Sequence, residues 1–536
     1  MQLDDNLLNS IRSAPRGPKT AALFDFDGTL IAGFSVVQFL REQLKQRKIS
    51  LQDARQMVAN TTRLVARKAS FSEMFAVSCE LLEGTDEEEY EAFGQEVYEA
   101  RIAQLIYPEA RAIIREHQAC GHTVAIISSA LSYQVHPAAK DLGIDLVYCT
   151  ELEAKNGVLT GKLNGDVCWA EGKVDAANEL ASEKGFSLDD AFFYSDSDED
   201  VPLLETVGYP RVLNPNKKLA QIAEERDWPI ERFRDVRKVT TTSLVRSLAA
   251  DLSMLPVILA SISVKSLTGS KRDAQNFTSA VYPVIASALS GVTLNVIGEH
   301  NLWAARPAVF VFNHQSKIDP VIVSKLLYKD FVGVGKKEIA TLPFAEKLME
   351  FGGAVLIDRA DSAGAIAALQ PLVDVIKEDK KSVVMAPEGT RTVSPRLAPF
   401  KKGAFHLAIQ AGVPIVPIVL HDAINIAPKG VFVYRPGTVK VEILDPIDTS
   451  KWSAKTIDKH VAEVRGAFLR ALGQQEEPAK KAPKKAAKAK TKTKAKTKAK
   501  ATPKSKAKPK TKAKPKTKAK PKTKAATTKR ADTKGD

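Results

Sequence analysis

The chain has 536 residues, enough for about three to four domains on a length prior. Its net charge of +16 belongs to one end: from residue 476 onward lie 25 of the 79 Lys and Arg but only 4 of the 63 Asp and Glu, so residues 1–475 carry −5 and the basicity is a property of the tail, not of the folded part. The four cysteines, Cys79, Cys120, Cys149 and Cys168, show no CxxC or secreted-protein spacing and read as reduced thiols of a cytoplasmic protein, and the start lacks the charged-then-apolar pattern of a signal peptide.

Residues 1–19 are polar with two prolines and read as a flexible leader. AALFDFDGTL follows. Ala21–Phe24 reads as a short buried strand with Asp25 and Asp27 at its end, then Gly28 and Thr29. In doubly wound α/β folds reactive groups gather at the C-terminal ends of strands. Downstream, VAIIS (Val124–Ser128) is a strand ending in a hydroxyl, EGKVDAA sets Lys173 at a helix start, and FFYSDSDEDVPLL is a strand followed by Asp196 and Asp200. Taken singly each is weak, and Lys173 alone reads as a solvated lysine. In this order they resemble the four motifs of the haloacid dehalogenase superfamily over residues 20–238.

That resemblance implies a Rossmann-like domain with a helical cap, residues 34–107, as in the phosphoserine-phosphatase-like branch. The hairpin LEAKNGVLTGKLNGD, with its Asn156-Gly157 turn, also resembles that branch. It further implies that Asp25 attacks phosphorus and that Asp27 protonates the leaving oxygen and then activates water. Mg²⁺ is implied, held by Asp25, the Asp27 carbonyl and Asp196 with support from Asp200, and Ser128 and Lys173 are implied on the phosphate oxygens. Two departures stand out. Phosphoserine enzymes carry a glutamate nine residues after the nucleophile to hold the substrate ammonium, and that position here is Phe34. Glycines usually flank the fourth-motif aspartate, where Ser195 and Ser197 stand here. The phosphatase substrate is therefore open between phosphoserine and a lipid phosphate.

Residues 239–290 read as a linker with membrane-associating helices. Leu252–Val264 is uncharged but too short to span a bilayer; Phe277–Gly298 is nominally long enough, yet its end, VTLNVIG, alternates like a strand. Two helices dipping into one leaflet fit best; a spanning pair and a buried hairpin are the alternatives.

Residues 291–475 form the next expected domain. The apolar run Ala308–Phe312 delivers Asn313 and His314 at a strand end, with Asp319 five residues after the histidine. A carboxylate within reach holds a histidine in one tautomer and suits it as a general base. A satisfied polar histidine, with Asp319 as the N-cap of a helix begun by Pro320, gives the same pattern. GGAVLIDR ends at Arg359, SVVMAP leads to EGTR (Glu388–Arg391), and VPIVPIVL runs from Val413. The two prolines of that last run suggest an edge or bent strand. In this order the blocks resemble the glycerolipid acyltransferases, 1-acylglycerol-3-phosphate acyltransferases in particular, over roughly residues 292–444.

The resemblance implies an α/β domain with a mixed sheet. His314 takes a proton from the acceptor hydroxyl, Asp319 orients it, and acyl-CoA or acyl carrier protein is the donor. Arg359 and Arg391 are expected on the phosphate of lysophosphatidate, because a guanidinium fork pairs two phosphate oxygens. Lys336, Lys337, Lys401 and Lys402 could add positive field or be solvated. Glu388 and Gly389 are expected to shape the acceptor pocket, with a structural role for Glu388 equally open.

Residues 476–536, with KAKPKT repeated at Lys506, Lys512 and Lys518, read as a disordered Lys-rich tail. Acidic membrane lipids are its favoured partner; nucleic acid and simple solubilisation are the others. The whole reads as a bifunctional phospholipid-synthesis enzyme at the cytoplasmic face of the membrane, peripheral or monotopic. Its rival is a binding protein built from two degenerate enzyme folds.

Overall fold

The structure is a computed structural model that describes residues 5–48, 75, 79–237, 239–336, 355–357 and 369–475. The first sheet holds β1 (Ala21–Phe24), β2 (Thr123–Leu131), β3 (Leu146–Thr150), β6 (Ala191–Ser195), β7 (Tyr209–Leu213) and β8 (Ile230–Glu231), all parallel, in the order β3-β2-β1-β6-β7-β8. Every residue of β1 is buried because helices cover both faces, which is why it reads as an unbroken apolar run. Ala22 and Phe24 enter one core and Ala21 and Leu23 the other, the period of two that a pleated strand imposes. β4 (Leu152–Lys155) and β5 (Val158–Leu163) form the expected hairpin, with Asn156 and Gly157 at φ 55° and 77°, both positive as a type I′ turn requires.

The flexible leader is a correction. Asp5–Ser13 is a helix, and Leu7 and Ile11, one turn apart, bury against the first core. The described part of the cap includes helices Ser35–Lys45 and Glu87–Val97, joined through Phe39, Tyr90 and Phe93, whose ring centres lie 5.6–6.2 Å apart. Residues 49–74 and 76–78 of the expected cap lie outside the described residues.

Three helices connect the sheets: Thr241–Leu252, Met254–Thr268 and Lys271–Ser290. The expected lengths are reversed. Thr241–Thr268 runs nearly continuously for 28 residues and is the one helical stretch among the described residues long and apolar enough to cross a membrane. Its Pro256 sits in the first turn of its helix, where no hydrogen bond is lost. The longer apolar stretch is instead cut at Gly291, and VTLNVI becomes a strand, as its alternation indicates.

The second sheet contains β9 (Val292–Ile297), β10 (Val309–Phe312), β11 (Phe331–Lys336), β12 (Val355–Ile357), β13 (Ser382–Met385), β14 (Ile415–His421) and β15 (Gly437–Ile443), in the order β12-β11-β13-β10-β14-β15-β9. It is mixed, because β15 meets β14 antiparallel. β14 is therefore interior, not the edge its prolines suggest. Pro417 is tolerated because β15 pairs only from Ile418 onward, where the Leu444 N–H donates to the Pro417 carbonyl at 3.0 Å. The basic tail lies outside the described residues.

Candidate active sites

β1 is flanked by β2 and β6, so Asp25, Ser128 and Asp196 meet at the carboxyl ends of three neighbouring parallel strands. Lys173, buried at the start of the helix Glu171–Lys184, places its ammonium 2.7 Å from Asp25 and 2.8 Å from Asp200. Burial works against that charge, but Asp200 and Asp25 outweigh it and hold the lysine firmly protonated. Asp200 also accepts from the Ser195 hydroxyl at 2.6 Å. Ser195, one of the two departures from the flanking glycines, thus supplies a bond that a glycine could not.

The Asp27 carboxylate turns to the cap and accepts from the Ser35 N–H at 2.7 Å and the Ser35 hydroxyl at 2.9 Å. Ser35 escapes sequence reasoning, though it closes the same AGFS stretch that carries Phe34. Asp196 accepts from the Thr29 hydroxyl at 3.2 Å and lies against Gly28, where a Cβ would collide with its carboxylate. At φ +83° only glycine fits there without strain. Ser128 is buried, its hydroxyl accepting from the Ala130 N–H at 3.2 Å.

Burial is the largest influence on three of these acids. It raises Asp25 to about 6 against the pull of Lys173, Asp27 to about 7 against the Ser35 hydrogen bonds, and Asp196 to about 8 with the Asp25 charge adding to it. No group of three or more His, Cys, Asp or Glu among the described residues is arranged around a common ion position. Asp200 is committed to Lys173 and Ser195, and the Asp27 carboxylate to Ser35. Asp25, buried beside Lys173, and the half-buried Asp196 are two hard-oxygen donors that repel one another. That set fits magnesium, which is held by one or two carboxylates with water and substrate phosphate completing its shell.

In the second sheet, β10 lies between β13 and β14. Asn313 clamps its end: the Asn313 amide donates to the Leu420 carbonyl at 2.8 Å and accepts from the Leu420 N–H at 2.7 Å. His314 follows, one-fifth exposed, with Nδ1 2.8 Å from Asp319 Oδ2. The same oxygen accepts the N–H groups of Gln315 and Ser316, each at 2.7 Å. A carboxylate only accepts, so the proton sits on Nδ1 and Nε2 is left basic. Asp319 is thus not the expected N-cap: it is the first residue of the helix Asp319–Leu327 and binds the turn before it.

Glu388, from the end of β13, accepts the His314 N–H at 2.7 Å through one oxygen and the Ala398 N–H at 3.0 Å through the other. Burial raises its carboxyl to about 7 against these two bonds. Its geometry is that of a brace between the histidine and the following loop. Gly389, at φ +80°, leaves room for Lys401, whose ammonium would lie 2.8 Å from a Cβ at that position. Arg391 is half-buried in the same loop. Lys402 pairs with Asp458 at 2.6 Å. Arg359, Lys337 and the Lys336 side chain lie outside the described residues.

Two family models match the chain: haloacid dehalogenase-like hydrolase over residues 22–205 and acyltransferase over residues 293–421. A 1-acyl-sn-glycerol-3-phosphate acyltransferase of Limnanthes alba is 36% identical over 190 residues, 35% of this chain and 67% of that protein. The chain spans about two thirds of the length of the two Limnanthes relatives. A phosphoserine phosphatase of Mycobacterium tuberculosis is 31% identical over 244 residues, 45% of this chain and 79% of that protein. Among solved structures, the 1-acyl-sn-glycerophosphate acyltransferase of Thermotoga maritima covers 44% of this chain and 98% of its own, at 21% identity and a TM-score of 0.37.

Proposed function

The chain belongs to the haloacid dehalogenase-like hydrolases through its N-terminal part and to the 1-acylglycerol-3-phosphate acyltransferases through its C-terminal part, and from that premise we propose that it is a bifunctional enzyme of phospholipid synthesis. One site moves an acyl group from a thioester, acyl-CoA or acyl carrier protein, to lysophosphatidate, giving phosphatidate. The other hydrolyses a phosphomonoester. The observation that carries the reading is the His314 Nδ1 to Asp319 Oδ2 contact of 2.8 Å, with the His314 backbone held by Glu388.

In acyl transfer, His314 Nε2 takes the proton of the acceptor hydroxyl as that oxygen attacks the thioester carbonyl. Asp319 stabilises the imidazolium, and the thiolate leaves with the proton. Arg391, and Arg359 beyond the described residues, receive the acceptor phosphate as charge-assisted forks. In hydrolysis, Asp25 attacks phosphorus and the bond to the leaving oxygen breaks, while Asp27, oriented by Ser35, supplies that oxygen's proton. Water activated by Asp27 then cleaves the aspartyl phosphate, releasing phosphate and restoring Asp25. Ser128 and Lys173 hold phosphate oxygens, and Mg²⁺ bound by Asp25, Asp196 and the Asp27 carbonyl would supply charge neutralisation there. The helices of residues 241–268 and the basic tail hold the enzyme on the cytoplasmic face of an acidic membrane.

Purified protein given lysophosphatidate and an acyl thioester should form phosphatidate, and His314→Ala should slow that by the roughly 10²–10⁴ a general base contributes. An unchanged rate in the variant removes His314 from the mechanism.

A further inference from the structure

We propose that the phosphatase site takes a lipid phosphomonoester, a phosphate on an acylated glycerol, drawn from the leaflet on which the enzyme sits. The inference rests on the reading of Asp25 as a phosphatase nucleophile and adds the substrate class.

Its first support is the character of the site's mouth. The loop that carries Asp27 closes through the Gly28 N–H, which donates to the Gly33 carbonyl at 3.1 Å. Phe34 comes next, 60% exposed, then buried Ser35, which holds Asp27, then Val36 and Val37, exposed in the first turn of the cap helix. Exposed Phe and Val beside a buried serine form an apolar lip. An amino acid phosphate needs a carboxylate there for its ammonium, and Phe34 gives none.

The second support is a cation on the same lip. Arg237 lies over Gly33, its Nη1 2.8 Å from where a Cβ would stand. Asp235 takes the other side of that guanidinium, accepting from Nε at 3.0 Å and Nη2 at 3.0 Å, so Nη1 is the edge turned to the loop. Tyr107 ties this region to the Asp27 loop: its ring meets Phe233 at 5.6 Å, and its N–H donates to the Leu30 carbonyl at 3.0 Å. Residues 233–237 are thus a strap across the mouth. The Phe233 N–H donates to Asn214 at 2.6 Å, and Arg435 of the acyltransferase domain donates to the Val236 carbonyl at 3.0 Å.

The third support is where the strap goes. Thr240 caps the helix that starts at Thr241, the beginning of the long apolar stretch, on which Leu244, Val245 and Leu248 are more than half exposed. Four residues of chain span at most about 14 Å, so Arg237 stands within that distance of the helix root. A bilayer that receives this helix brings lipid headgroups to the phosphatase mouth. A phosphate that enters past Arg237 leaves its apolar body on Phe34, Val36 and Val37.

The test uses the full-length protein with Mg²⁺ and three probes: lysophosphatidate or phosphatidate in phosphatidylcholine vesicles, O-phosphoserine, and p-nitrophenyl phosphate. The lipid phosphates should be hydrolysed with kcat/KM at least about tenfold above phosphoserine. Arg237→Ala should raise KM for the lipid phosphate about tenfold or more, the worth of one charge-assisted hydrogen bond. Phe34→Glu should lower the ratio of lipid to phosphoserine turnover, with unchanged acyl transfer showing that each variant is folded. Hydrolysis of p-nitrophenyl phosphate with lipid phosphates no better than phosphoserine overturns the inference and leaves the phosphatase reading standing. No hydrolysis of any probe overturns both.

Discussion

Asp319 gathers three donors on one oxygen, the His314 ring and the N–H groups of Gln315 and Ser316. An amide in its place would turn one end from acceptor to donor. Asp319→Asn should therefore lower kcat for acyl transfer by about 10²–10⁴ with little change in KM, because the imidazole loses its fixed tautomer; equal loss in KM alone would assign Asp319 to substrate binding. A second titratable pair lies in the phosphatase core. His117 is fully buried, its Nδ1 2.8 Å from His122 and its Nε2 2.8 Å from the Tyr194 hydroxyl. Burial, then the neighbouring His122, lowers its pKa to about 3. The unfolded chain binds a proton near pH 6.5 that the folded chain refuses until about 3, so this group's contribution is full above 6.5 and lost as pH falls towards 3. His117→Gln should lower stability near pH 7 and flatten its decline between pH 6.5 and 4, by a few kcal/mol in difference. Parallel stability curves for the two proteins in thermal melts would show that His117 titrates normally.

Strand ends were the legible element. AALFDFD and VFVFNH place their polar residues just past a buried run, and both runs became central parallel strands with their acids and histidine at the carboxyl end. Contacts between distant segments were not legible. Nothing local to Ser35 shows that it holds Asp27, and the Asn313 clamp on Leu420 spans 107 residues. Proline chemistry misled about an edge at β14, because Pro417 falls just past the last registered pair with β15, where its carbonyl is bonded by Leu444 and its lack of an N–H is tolerated, a fact of register that sequence does not carry. The strand after Gly291 was legible in the alternation of VTLNVI, but the length of the first apolar stretch was not, because the helices Thr241–Leu252 and Met254–Thr268 follow one another across Ser253 alone. The element with the plainest outward task is Thr241–Thr268, since Leu248, Leu252, Leu255 and Leu259 each expose more than half their surface. Replacing Leu248, Leu252 and Leu255 with Ser should abolish the salt-insensitive part of vesicle binding, each leucine costing about 1.5–3 kcal/mol of burial. Removal of residues 476–536, which carry +21, should remove the salt-sensitive part on acidic vesicles. Flotation of both variants across a salt series checks this, and identical salt profiles would refute the division.

At the scale of the molecule, the two catalytic regions lie in one compact unit spanning Met1–Glu476. Arg115 and Asp422 pair through both nitrogens at 2.9 and 2.8 Å, Arg396 donates to the Asp141 carbonyl at 3.0 Å, and Arg435 holds Val236. The first of these pairs is half exposed and contributes no more than about 1 kcal/mol, so the packing fixes orientation more than stability. The order of motifs disclosed two enzymes in one chain; it did not disclose that Arg237 lies only four residues before the long apolar helix that begins at Thr241. Among the described residues, the side chains gathered around Asp25 and those gathered around His314 stand at the ends of separate sheets. That independence is the central claim, and one crossed assay tests it most directly: phosphate release and phosphatidate formation measured side by side for the intact protein, Asp25→Asn and His314→Ala. Asp25→Asn should abolish phosphate release and keep acyl transfer, and His314→Ala should do the reverse; a folded single variant that loses both activities would contradict the account.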